Sequence, residues 1–99
     1  MRIEPITTDC FTIFDAKGLD PITVVLQDQG GCGRLIVECY GKAWSTYFGA
    51  IGSATLRGFL AGCHHDYVAT RMDPKGGSYL QDITTAVLSA LRSNTQVQP

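Results

Sequence analysis

The stretch CYGKAW, Cys39 to Trp44, breaks a long run of strand-forming residues with a glycine. RLIVECY (34–40) leads into it and AWSTYF (43–48) leaves it, both rich in β-branched and aromatic side chains. Glycine at the first central position of a two-residue loop fits a type II′ hairpin turn on Gly41-Lys42. That centring sets Tyr40 opposite Ala43, Cys39 opposite Trp44, Val37 opposite Thr46 and Leu35 opposite Phe48. Side chains alternate along a strand, so Leu35, Val37, Cys39, Trp44 and Phe48 share one face. Ile36, Glu38, Tyr40, Ala43, Ser45 and Tyr47 share the other. One apolar face and one mixed face predict an antiparallel sheet covered on one side.

The same period of two extends toward the amino-terminal side. PITVVLQD (21–28) puts Ile22, Val24 and Leu26 on one face, and CFTIF (10–14) has strand composition. AKGLDP (16–21) and QGGCG (29–33) supply the turns between them. Beyond GAIG (49–52) the period changes. Leu56, Phe59, Leu60, Cys63 and Tyr67 recur at steps of three and four, behind a capping Ser53. Gly62 bends or ends this helix, and Asp66 is a second cap, for DYVATRM (66–72). After the break DPKGG (73–77), Ser78 and Gln81 form a capping-box pattern. Leu80, Ile83, Val87, Leu88 and Leu91 then give an amphipathic helix. Strands in a run followed by helices in a run predict an α+β fold: an antiparallel meander of about four strands, with two or three helices packed on one sheet face. Residues 1–92 form one domain, and 93–99 a frayed polar tail.

Composition narrows the function. Eight basic residues against nine acidic give a net charge of -1, without the basic excess of a strong nucleic-acid binder. There is no secretory layout and no apolar run of about 18 residues, so the expected setting is the cytoplasm, away from membranes. The four cysteines, Cys10, Cys32, Cys39 and Cys63, are then expected as free thiols. Cys32, in the glycine-rich loop, is expected to be the most accessible.

GCHHDYV (62–68) gathers a cysteine, two histidines and an aspartate. Zinc sites need about four converging ligands at characteristic spacings, and neighbouring residues of a continuous helix diverge. Cys63 falls on the apolar stripe, His64 and His65 suit a helix carboxyl end, and Asp66 suits a cap. We therefore assign no metal, no cofactor and no catalytic residue here. GGCGR (30–34) lacks the lysine and hydroxyl of a phosphate-binding loop, and Glu4 and Glu38 are the only glutamates. What remains is the mixed sheet face, with Tyr40 and Tyr47 near Arg34 and Lys42.

LDPITV (19–24), ECYGKAWSTYFGAIG (38–52) and DYVATRM (66–72) together resemble a group of small bacteriophage and prophage proteins with no assigned biochemical activity. The resemblance spans roughly residues 19–72 and carries over no catalytic motif. It implies a phage-type gene expressed in the cytoplasm of a bacterial host. The reading that follows is a non-enzymatic accessory protein that binds a phage or host protein or a copy of itself. Its candidate surface is Tyr40, Lys42 and Tyr47 with the corner His64, His65, Asp66 and Tyr67. The alternative is a module for single-stranded nucleic acid that stacks bases on the exposed tyrosines.

Overall fold

The computed structural model of the chain describes residues 1–6 and 8–93. Four strands, β1 (Asp9–Ile13), β2 (Ile22–Asp28), β3 (Gly33–Cys39) and β4 (Lys42–Phe48), are followed by α1 (Leu56–Ala61), α2 (His65–Met72) and α3 (Gly77–Ser93). The strands form one sheet in the order β1-β2-β3-β4, every pair antiparallel. This is the α+β meander expected from the change of period. Ser93 closes α3, and the rest of the expected tail lies outside the described residues.

The helices cover one sheet face. Ile22, Val24, Leu26, Leu35, Val37, Cys39, Trp44 and Phe48 meet Leu56, Leu60, Val68 and the α3 stripe Leu80, Ile83, Val87, Leu88 and Leu91 in a single core. All of these side chains are buried. At about 25 cal/mol per Å2 of apolar surface removed from water, this core supplies the main drive to fold.

The β3–β4 turn sits one residue earlier than the sequence suggests. Cys39 pairs with Lys42, Val37 with Trp44, Leu35 with Thr46 and Gly33 with Phe48. The loop is therefore Tyr40-Gly41, with φ of 54° and 83°, and two positive φ values mark a type I′ turn. The Glu38 carboxylate accepts the Gly41 N–H at 2.7 Å and favours this centring. Moving the centre by one residue moves every partner by two, so the assignment of faces survives while the pairs change.

The helix caps also differ in position. Thr55, not Ser53, caps α1, its hydroxyl accepting the Gly58 N–H. His64, not Asp66, caps α2. Ser78 falls inside the first turn of α3 because the chain has already reversed at Asp73, whose carboxylate accepts the Lys75 N–H and whose carbonyl accepts the Gly76 N–H. Long-range bonds complete α1. Asp28, at the end of β2, accepts the Leu56 N–H at 2.8 Å, and Arg92 of α3 donates to the carbonyls of Ala61 and Cys63. A six-residue helix is too short to persist alone, and these two side chains satisfy its ends from outside.

Candidate functional site

The corner between α2 and the end of β4 begins with a cap. His64 stands outside the helix with extended backbone, and its Nδ1 accepts the Asp66 N–H at 3.1 Å. The cap folds its ring back over the first turn, where it stacks on His65 at 4.4 Å between centroids. The Asp66 carboxylate lies 3.7 Å from a nitrogen of each ring. Donor atoms of His64, His65 and Asp66 thus come within 4.8 Å of one another, closer than a continuous helix allows. Cys63 is not among them. Its thiol donates to the Phe59 carbonyl at 3.3 Å, and burial raises its pKa although Arg92 pulls it down.

Three features of this cluster oppose a bound cation. His64 Nδ1 is occupied by a backbone N–H. The rings are only 27° from parallel, so their in-plane lone pairs run side by side. The partial positive charge of a helix amino end faces the cluster.

Tyr67 links the corner to the sheet. It is half exposed and lies 6.3 Å from the Phe48 ring. The Arg71 guanidinium sits 4.8 Å from the Phe48 centroid and 5.8 Å from that of Tyr67, within cation–π range. Its Nη2 also donates to the Tyr47 carbonyl at 2.6 Å. Cys39 and Lys42 flank a two-residue loop, so the backbone groups of Ala43, Ser45 and Tyr47 point out from the edge of β4. Arg71 occupies one of them. The Tyr47 side chain goes to the open sheet face, where Arg34 lies 5.3 Å from its ring. A hydrogen bond with Cys32 raises the Tyr47 pKa.

The residues proposed from sequence therefore divide. Tyr47, His64, His65, Asp66 and Tyr67 gather around α2. Tyr40 lies in the β3–β4 turn, about 20 Å from Tyr47 along the hairpin at 3.3 Å per residue, and is exposed. Lys42 has the parity of the covered face, its Nζ 5.5 Å from the Trp44 ring. Beside it, Tyr79 packs edge-on against Trp44 and donates its hydroxyl to Cys39 Sγ. Arg71 is the residue that the sequence reading missed. Tyr67 and Arg71 stand four apart on one helix, and that spacing places them on one face. Cys10, rather than Cys32, is the exposed thiol, Cys32 being half-buried.

Among known proteins, the model of a phage family matches residues 1–96. The chain belongs to this phage family, and the match extends well beyond the blocks that suggested the resemblance. No curated protein and no solved structure matches it. Among the described residues, no helix is long and apolar enough to cross a membrane.

Proposed function

We propose that this phage-family protein is a non-enzymatic accessory protein that acts by binding another protein in the bacterial cytoplasm. The partner is a phage or host protein or a second copy, and the surface is the corner of α2 and β4. The observation that carries this reading is the clamp made by Arg71, which bonds the Tyr47 carbonyl and lies against Phe48 and Tyr67. Tyrosine and arginine are among the residues enriched at protein interfaces. Here they are held in place before any partner arrives, which lowers the ordering cost of binding. The stacked His64–His65 pair and Asp66 extend the same surface with polar groups.

Native mass spectrometry of the protein from phage-infected cells at low salt tests the reading. The expected result is a stoichiometric protein adduct or defined oligomer that Tyr67→Ser removes while the fold persists. A bare monomer, or an assembly indifferent to Tyr67→Ser and Tyr47→Ser, overturns it. The nucleic-acid alternative rests on the Arg34–Tyr47 pair on the open face. It has less support, because Tyr40 is remote from that pair and Lys42 is turned to the other side. It requires binding of an oligonucleotide that weakens steeply with salt and is lost in Tyr47→Ala.

A further inference from the structure

The opposite edge of the sheet is unfinished. Phe11 and Ile13 of β1 face the core yet are only half-buried, whereas the core-facing apolar residues of the other three strands are buried. Three cavities follow this edge end to end. One of about 440 Å3 is lined by all of β1 with Arg57 and Ala90. It shares Asp9 and Arg57 with a cavity of about 310 Å3 beside α1. It shares Ile13 and Ala90 with one of about 550 Å3 beside α3. Within this groove Arg57 binds Asp9 through Nη2, while its Nη1 is buried and has no acceptor among the described residues.

The same chain carries a segment that matches the groove. Residues 1–6, MRIEPI, have no regular secondary structure and leave Ile3 81% and Ile6 58% exposed. Pro5 biases Glu4 to extended backbone. In a polyproline-like arm with three residues per turn, Ile3 and Ile6 share one side, about 9 Å apart. The arm bears Glu4, whose Oε2 pairs with Arg2 at 2.7 Å and whose other carboxylate oxygen is an acceptor of the kind that Arg57 Nη1 lacks. Filling its own groove would require the chain to reverse between Ile6 and Asp9 on Thr7-Thr8. Tight hairpin loops of two residues need positive φ, which β-branched residues avoid. Reach into a neighbouring molecule needs no such turn.

We infer that two copies of this chain exchange residues 1–6, the Ile3 and Ile6 of each filling the groove along β1 of the other. Glu4 then accepts from Arg57 Nη1 of the copy that receives it, and the arm lies along the free edge of β1 in its polyproline-like form, its carbonyls accepting from the outward-facing amides of Cys10 and Thr12. This rests on the protein-binding reading in naming a second copy as a partner. It uses the edge of the sheet remote from Tyr47 and Tyr67.

Sedimentation equilibrium of the full chain tests it. The expected result is a dimer that Ile3→Glu/Ile6→Glu converts to a monomer with an unchanged circular dichroism spectrum, since both residues are exposed within one copy. Ala90→Glu, on the groove side, gives the same loss. Glu4→Gln weakens the dimer about tenfold, the scale of one hydrogen bond between charged groups, and Tyr67→Ser leaves it intact. A wild-type monomer at millimolar concentration overturns the inference. So does a dimer that survives Ile3→Glu/Ile6→Glu. If that dimer is lost in Tyr67→Ser instead, arm exchange fails while binding at the α2 corner stands.

Discussion

At the scale of single residues, Asp28 joins three parts of the chain. Its carboxylate accepts the Leu56 N–H of α1 and the Gly30 N–H of the β2–β3 loop. Those two bonds, Leu56 first, hold its pKa below the ordinary 3.8. A carboxyl group depressed in the folded state adds stability above its unfolded pKa and loses it as pH falls through the folded one. Thermal melts should therefore show wild type well above Asp28→Asn at neutral pH, with the gap closing below about pH 4. A gap that persists at pH 2 would mean that the ionised carboxylate is not what ties α1 to β2. Tyr79 works in the opposite direction. Its hydroxyl donates to Cys39 Sγ, and that bond, with desolvation and nearby anionic groups, pushes its pKa up to about 12. A tyrosine raised from 10 contributes stability below pH 10 that is lost as pH climbs toward 12. Spectrophotometric titration near 295 nm should show a late tyrosinate step, absent in Tyr79→Phe.

Elements show where the sequence was legible and where it was not. The faces of β2, β3 and β4 were legible because alternation is a property of parity, and parity survived the misplaced turn. The turn centre was not, since Gly41 occupies a central position in either arrangement. The choice depends on Tyr40 accepting φ of 54° and on Glu38 reaching the Gly41 N–H, a side-chain contact that no local pattern announces. The break at Gly62 was visible, but the cap at His64 was not. Imidazole is an uncommon cap, and without it His64, His65 and Asp66 read as one corner whose donor atoms diverge, whereas the fold brings those atoms within 4.8 Å of one another. Gly33 gives an element-level prediction. It pairs with Phe48 and Asp28 at the point where β3 passes under α1. A Cβ there would lie 2.8 Å from the Gln27 carbonyl oxygen and 3.0 Å from Leu56 Cδ2. Gly33→Ala should cost about 1–3 kcal/mol, the usual range for overpacking, measured as a lower urea midpoint at unchanged slope. An unaltered midpoint would mean that α1 is free to lift off the sheet.

For the whole molecule, the two sheet edges have opposite characters, and this difference governs how copies can meet. The β4 edge is guarded. Arg71 occupies the Tyr47 carbonyl, and Lys42 stands at the start of the strand. Bonded carbonyls and edge lysines are the usual defences against strand addition. The β1 edge has a groove alongside it and half-buried Phe11 and Ile13. A net charge of -1 sets little repulsion between copies. Hydrogen exchange followed by mass spectrometry separates the two edges in one experiment. If arms cover β1, the outward-facing amides of Cys10 and Thr12 should exchange slowly in concentrated protein and quickly on dilution. Those of β3, paired on both sides within one copy, should not depend on concentration. In Ile3→Glu/Ile6→Glu, Cys10 and Thr12 should stay fast at every concentration. Amides of Ala43 and Ser45 report the other edge, and concentration-dependent protection there with none at β1 would place self-association on the guarded strand. That outcome would require Arg71 to release Tyr47, so Arg71→Ala would then strengthen the dimer, whereas arm exchange leaves it indifferent to that substitution.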